Sequence, residues 1–412
     1  MEIKTNNKSL LSSDLFAIAV ILIFLNFVRG TLDEKGIIFA YHLRVLSIFS
    51  GPFFLLLSTF IAITEGQFRR IKNRYRTWII CLLLYFIFII INGLLINRNE
   101  IRLVTLDMLM FSMVFPGILI GAKKFNWIRF DKIVINIFLI NILFLLPYIG
   151  SYGSLMQEMR RTIIVGYGQI PYFFWGGLEM WPYILLTMKN RSLFYRIVSI
   201  VGIILYFYFA LIFLKRAPFV YAILFILLYL FSYKLNIKTV MRNIYLSIAV
   251  IITSFLIFWQ IEVSSTVERL QGRFVEKGDL TSTLLMSNRI SYDYGLVLSQ
   301  LSSLEYMIGR GLGGTVQDVG ETNYEDMTST LHNGPALMML KGGFIWMIIW
   351  YSGWFMLIKD FMYNKNKHLN KYFIPILMTF LLTWVFGFLR ITMFFIMITM
   401  CSGRLMAKEQ NL

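Results

Sequence analysis

Charge is scarce in this sequence. Asp, Glu, Lys and Arg make up 15% of its 412 residues, against about a quarter in soluble domains, and that shortage excludes a water-soluble globular chain. Cysteine is scarcer still. Cys81 and Cys401 lie in apolar stretches far apart, so neither a disulfide framework nor a cysteine metal site is indicated. There are three histidines, and no cluster of histidines and carboxylates has metal-ligand spacing, so no metal and no cofactor is expected. No cleavable leader is expected either. The stretch "LFAIAVILIFLNFV" reads as a first span, with no small-x-small site behind it.

What the chain has is long apolar runs. Hydrophobic residues reach 58%, and many windows of about twenty nearly uncharged residues could each cross about 30 Å of hydrocarbon. Twelve transmembrane helices are expected, at about 14–29, 43–64, 77–97, 103–122, 130–150, 170–188, 194–214, 217–233, 243–261, 335–358, 371–389 and 391–407. The fold class is therefore an all-α polytopic membrane protein. Residues 1–261 hold the first nine spans with short loops, 262–334 form one large loop, and 335–412 hold the last three.

The formal charge is +17, which in a soluble protein would suggest nucleic acid. Here the basic residues sit in short loops such as "EGQFRRIKNRYR", "AKKFNWIRFDK" and "KDFMYNKNKHLNK". The positive-inside rule accounts for them and makes the even-numbered loops and both termini cytoplasmic, with no nucleic-acid partner. The loop 262–334 then faces the other compartment. It carries much of the chain's acid, including Glu262, Asp279, Asp318 and Glu325. Ser265 and Glu268 have capping-box spacing. In "NRISYDYGLVLSQLSSL", Ile290, Tyr294, Val297, Leu301 and Leu304 fall at helical spacing, so one amphipathic helix capped near Asn288 is expected. "GRGLGGT" reads as a helix-ending glycine turn, because no strand precedes it and no Walker lysine follows.

Several residues on that side invite a chemical reading. His332 and Asn333 sit just before Gly334-Pro335, a helix start with proline in its first turn. The positive end of the helix dipole disfavours imidazolium, and a neutral imidazole can serve as a general base; equally, His332 could only bond loop backbone. Arg289 opens the amphipathic helix, where a cation opposes the dipole unless an anion binds there; an ion pair with Asp293 is the alternative. Lys215 and Arg216 in "FLKRAPFV" and Arg160 and Arg161 in "EMRRTIIVGYG" could bind a phosphate or snorkel to lipid headgroups. Asp107, Glu179 and Lys341 are intramembrane charges that call for internal partners. Glu179 could position an arginine or bind a sugar hydroxyl. Lys341 is read as structural and paired, and "KGGF" as a close helix–helix contact. Loop residues including Tyr292 and Tyr294 could line an acceptor groove.

The run "NRISYDYGLVLSQLSSLEYMIGRGLGGT … LHNGPALMMLKGGFIW" resembles the signature of the O-antigen polymerase and O-antigen ligase superfamily. That signature has an arginine opening a loop helix, a G-x-G turn, and H-N-x-x-L-x-x-L-x-x-x-G entering a membrane helix. "FLKRAPFVYAIL" resembles its serine-arginine element, with "LKR" in place of serine-arginine, and "RRTIIVGYGQIPYFFWGGL" resembles a looser third one. The resemblance implies a GT-C-like glycosyltransferase of the bacterial inner membrane with a periplasmic active site. Its donor would be an oligosaccharide on undecaprenyl diphosphate, used without metal and with inversion. His332 would activate the acceptor hydroxyl, and Asn333 would cap the helix or orient His332. Arg216 and Arg289, with Arg161, Arg160 and Lys215, would bind the diphosphate. The partners implied are the lipid-linked glycan, membrane lipid and a chain-length regulator protein. The compact, Phe-, Met- and Tyr-rich chain fits a polymerase better than a ligase acting on lipid A-core. A transporter (flippase) of the same lipid would show two similar halves, which the sequence does not; a scaffold protein would not need His332.

Overall fold

A computed structural model describes residues 12–20, 22, 39–122, 135–136, 138–139, 181–188, 191–212, 222–229, 287–317, 327–328, 334–364, 370–383 and 393–408. These are predominantly helical. Helix α1 runs Phe39–Thr64, α2 Asn73–Ile91, α3 Ile101–Ser112 and α4 Val114–Gly121. Then come α5 Trp181–Thr187, α6 Leu193–Ile212, α7 Ser287–Gln300, α8 Ser303–Ile308, α9 Gly334–Asn364, α10 Asn370–Thr383 and α11 Met393–Met406. A two-residue antiparallel ladder joins β1 (Val316–Gln317) to β2 (Met327–Thr328) in the register Val316 to Thr328 and Gln317 to Met327. Residues 12–20 and 222–229 are also helical. Most of the fifth expected span, all of the ninth and the Ser265–Glu268 capping box lie outside the described residues.

Among the described residues, three helical stretches are long and apolar enough to cross a membrane: Asn73–Ile96, Ile101–Gly121 and Gly334–Phe361. Each falls on an expected span. Their ends follow local chemistry. After α2 the backbone widens into a π-helical turn over Asn92–Ile96, closed by the Asn97 N–H donating to the Asn92 carbonyl at 2.9 Å. Between α3 and α4 the helical hydrogen bonding lapses at Met113, whose backbone stays in the right-handed helical region (φ −58°, ψ −26°). Pro116 supplies no N–H for the Ser112 carbonyl four residues back and its ring crowds that carbonyl, so the helix yields there.

Hydrocarbon offers no hydrophobic gain to helices that associate within it, so close packing must hold them. Gly117 and Gly121 on α4 lie against Thr399 and Met400 of α11, and Gly403 of α11 lies against the backbone of Ile118. A Cβ at any of the three would overlap its neighbour. Larger residues contribute elsewhere. Phe86, Phe111, Trp346 and Trp350 form a buried aromatic cluster between α2, α3 and α9, with Trp346 and Trp350 ring centroids 5.6 Å apart. Each such ring pair adds about 0.5–1.5 kcal/mol beyond area burial. The Trp78 indole donates to the Ile349 carbonyl at 2.6 Å, locking α2 to α9.

Two ends of the bundle are defined by backbone pairing. At one, the Lys72 N–H donates to the Met406 carbonyl (3.0 Å) and the Lys408 N–H to Arg70 (2.8 Å), while Arg74 and Tyr75 both engage Asp360. At the other, the segment after α8 docks onto the ends of α2 and α3.

One expectation needs correcting and a second needs completing. The amphipathic helix does not run to Leu304. It ends at Gln300, and Leu304, 68% exposed, belongs to the separate helix α8. The cause is a capping box at Ser302 and Glu305: the Ser302 hydroxyl accepts from the Glu305 N–H (3.3 Å) and the Glu305 carboxylate from the Ser302 N–H (2.7 Å), which starts a helix where one was expected to continue. The second concerns "KGGF". The expected close helix packing is there, with Gly343 against the backbone of α8 at Met307 and Ile308, but Gly343 also breaks α9, with φ 67° and ψ −169°.

Candidate functional site

The turn after α8 has three glycines at positive φ: Gly309 (71°), Gly311 (75°) and Gly313 (77°). At Gly311 this conformation coincides with close approach, because a Cβ there would strike the backbone of Gly93. The expected helix-ending turn is therefore present, and it has a further role as a wedge. Its backbone is received by side chains and carbonyls of the bundle. The Leu312 N–H donates to the Ile89 carbonyl (3.0 Å), and the Arg310 N–H to Leu340 (2.8 Å). The Asn92 amide donates to Gly309 (3.0 Å), while the Asn99 amide donates to Arg310 and Leu312 (both 2.8 Å).

At the centre of this junction lies an ion pair. Lys341, on α9, is 0% exposed, and its ammonium sits 2.7 Å from the Asp107 carboxylate of α3. The same ammonium donates to the Gly314 carbonyl at 2.7 Å, and Asp107 accepts the Gly313 N–H at 2.6 Å. Two intramembrane charges that called for partners thus have each other, and the glycine turn completes their hydrogen bonding. Lys341 is structural, as its sequence position suggested.

The break at Gly343 belongs to the same unit. Its Cβ position is occupied by the Met307 carbonyl of α8, and its dihedrals lie in a region open almost only to glycine. Tyr85 caps the first half of α9 by donating to the Gly342 carbonyl at 2.8 Å. Gly343→Ala is expected to cost at least about 1–3 kcal/mol from backbone strain, with the overlap on α8 added. Thermal unfolding of the purified protein in detergent checks this; an unchanged midpoint would contradict it.

Sequence reasoning passed over Arg310. Its guanidinium is satisfied by Glu305 (3.0 Å), by the Thr315 carbonyl (2.7 Å) and by the Gln300 carbonyl. It holds α7, α8 and the turn together, with Nε, Nη1 and Nη2 each engaged. The Ser302-x-x-Glu305 capping box, followed five residues on by arginine, was the signal that could have found it.

The residues proposed for chemistry are distributed unevenly around this junction. His332 and Asn333 lie outside the described residues, immediately before α9, whose residues from Gly334 to Gly343 are all buried. Arg160, Arg161, Glu179, Lys215 and Arg216 also lie outside them. Arg289 and Tyr292 fall within the described backbone of α7, whose first residues are Ser287 and Asn288. Asp293, the alternative partner for Arg289, is buried at 4% exposure and engaged. Tyr294 is half-buried against the core, and burial raises its phenol above the ordinary value, so at neutral pH it is a hydrogen-bonding and stacking group. Leu296, Val297 and Leu301 seat α7 on the core. The structure thus joins the helix that Arg289 opens, the glycine turn and the helix that follows His332–Asn333 into one packed unit. No family model matches the chain, and no curated protein or solved structure does either.

Proposed function

We propose that the chain is an O-antigen (surface polysaccharide) polymerase. It transfers a growing undecaprenyl-diphosphate-linked glycan onto the next lipid-linked repeat unit, by an inverting, metal-independent mechanism at the periplasmic face of a bacterial inner membrane. The reading takes the twelve-span, GT-C-like fold with both termini cytoplasmic. One observation supports it most. The three elements of the resemblance that fall in the second half of the chain, namely the α7 helix, the glycine turn and the start of α9, are braced against one another through Lys341, Asp107 and Arg310.

In this mechanism His332 takes the proton from the acceptor hydroxyl while that oxygen attacks the anomeric carbon of the donor sugar. The bond from that carbon to the diphosphate oxygen breaks, and undecaprenyl diphosphate leaves. Arg216 and Arg289, assisted by Arg161, Arg160 and Lys215, balance the charge on the leaving group, and arginine suits this work because its fork matches phosphate oxygens. Asn333 orients His332. Holding acceptor and donor in line removes most of the entropic cost of the encounter.

A ligase would use the same residues with lipid A-core as acceptor. A flippase is the second reading, and the broken α9 is the observation in its favour, since interrupted helices line transport sites. A deletion strain separates them. Loss of the polymerase leaves a single repeat unit on the core. Loss of a ligase leaves long lipid-linked chains and none on the core, and loss of a flippase leaves neither. Full-length chains on the core would contradict all three.

A further inference from the structure

The segment between α7 and β1 leaves and returns at one point. The Gln300 amide donates to the Gln317 carbonyl (2.7 Å), and the Gln317 N–H donates back to the Gln300 side chain (2.8 Å). Between these two residues the chain makes a closed excursion, 301–316, consisting of α8 and the glycine turn. Its depth can be measured on two helices. Met307 and Gly309 touch α9 at Gly342–Gly343, nine residues inside Gly334, or about 13 Å at 1.5 Å per residue. The apolar stretch Gly334–Phe361 has 28 residues, about 42 Å. Centred on a hydrocarbon layer about 30 Å thick, it overhangs by about 6 Å at each end. The break then lies about 7 Å inside the hydrocarbon. On the second helix, the turn meets Asp107 six residues inside Ile101, about 9 Å along a stretch of 21 residues that just matches the layer. The two rulers agree.

The contents of the excursion fit that depth. Its only charged residues are Glu305 and Arg310, and they pair with each other at 3.0 Å. Leu301, Leu312 and Val316 point into the core. Leu304 and Met307, one helical turn apart, are 68% and 47% exposed. Met307 adjoins the break in α9, beyond which Phe344 and Ile348 are 45% and 51% exposed. This apolar edge is continuous with the outward face of a helix long enough to span a membrane.

We propose that residues 301–316 form a re-entrant segment within the bilayer, with Leu304 and Met307 facing the hydrocarbon chains of membrane lipid. The segment expected from the sequence to belong to an extracytoplasmic loop is then a membrane element, admitted because its backbone groups are taken up by Asn92, Asn99, Lys341 and Arg310. This holds whether or not the chain is a polymerase.

The test uses the full-length protein in liposomes, with the exposed Cys81 replaced by serine. Nitroxide labels are placed singly at Leu304→Cys and Met307→Cys. Leu84→Cys, 62% exposed on α2, is the lipid-facing control, and the exposed Glu100→Cys is the aqueous one. Labels at 304 and 307 are expected to collide with oxygen as often as the one at 84, and with a water-soluble nickel complex severalfold less often than the one at 100. Nickel accessibility matching position 100 would overturn the proposal, as it would place the edge in water. Shielding from both reagents would also overturn it, as it would place a second copy or another protein there.

Discussion

His332→Ala is expected to abolish chain extension while leaving the protein folded and inserted. Removing a positioned general base lowers rates by about 10²–10⁴-fold, equivalent to about 3–5 kcal/mol of transition-state stabilisation. Polymerisation multiplies that loss, because every repeat unit added requires another transfer. The mutant should therefore show single repeat units in place of a ladder of lengths. Folding should be spared, because α9 is held by contacts that lie beyond the residue: the Lys341 ion pair, the Arg310 N–H on Leu340 and Tyr85 on Gly342. Glycan ladders from cells carrying the mutant at normal membrane levels are the measurement. Near-normal ladders would remove the general-base role and leave His332 as a loop residue bonding backbone.

The second large effect is on stability. Lys341→Met should destabilise the protein by about 3–5 kcal/mol, the cost of leaving one member of a buried ion pair without its partner. Asp107 would keep only the Gly313 N–H, and the Gly314 carbonyl would lose its donor. A buried pair is not in itself a sign of net stabilisation, since desolvating both charges can exceed their attraction. The decisive comparison is therefore the double mutant Lys341→Met/Asp107→Asn. An asparagine amide can still accept from Gly313, with no unpaired charge. The double mutant should be more stable than Lys341→Met alone. Thermal unfolding in detergent reads both. A single mutant within about 0.5 kcal/mol of the wild type, the range of an ordinary surface change, would show that the pair does not hold the junction.

The three long spans Asn73–Ile96, Ile101–Gly121 and Gly334–Phe361 were legible because a run of apolar residues about twenty long has few other uses. The pairing of Lys341 was legible for a related reason: a charge that deep in an apolar run must find a partner. Three features were harder to read. Helical spacing from Val297 through Leu304 continues across the stop at Gln300, and the period carries no sign of it; the Ser302–Glu305 capping box does. Gly342-Gly343 in an apolar run announces a tight helix contact but not the break that accompanies it, which lies against Met307, far away in sequence. The return of the glycine turn into the bundle is a tertiary fact, announced only by Leu301, Leu312 and Val316 within an otherwise polar loop. The lapse in helical bonding at Met113 could have been read from Pro116. Of the candidate chemistry, Tyr294 and the helix bearing Arg289 fall within the described residues, and the rest of that reading stands on the residues themselves and their resemblance.

The central claim is that this chain lengthens a lipid-linked glycan without help from another enzyme. Purified protein in liposomes, supplied only with undecaprenyl-diphosphate-linked repeat units, tests it most directly. The account predicts lipid-linked products two or more repeats long, with undecaprenyl diphosphate released one for each repeat added. Substrate that remains a single repeat, in protein shown to be folded, would contradict it.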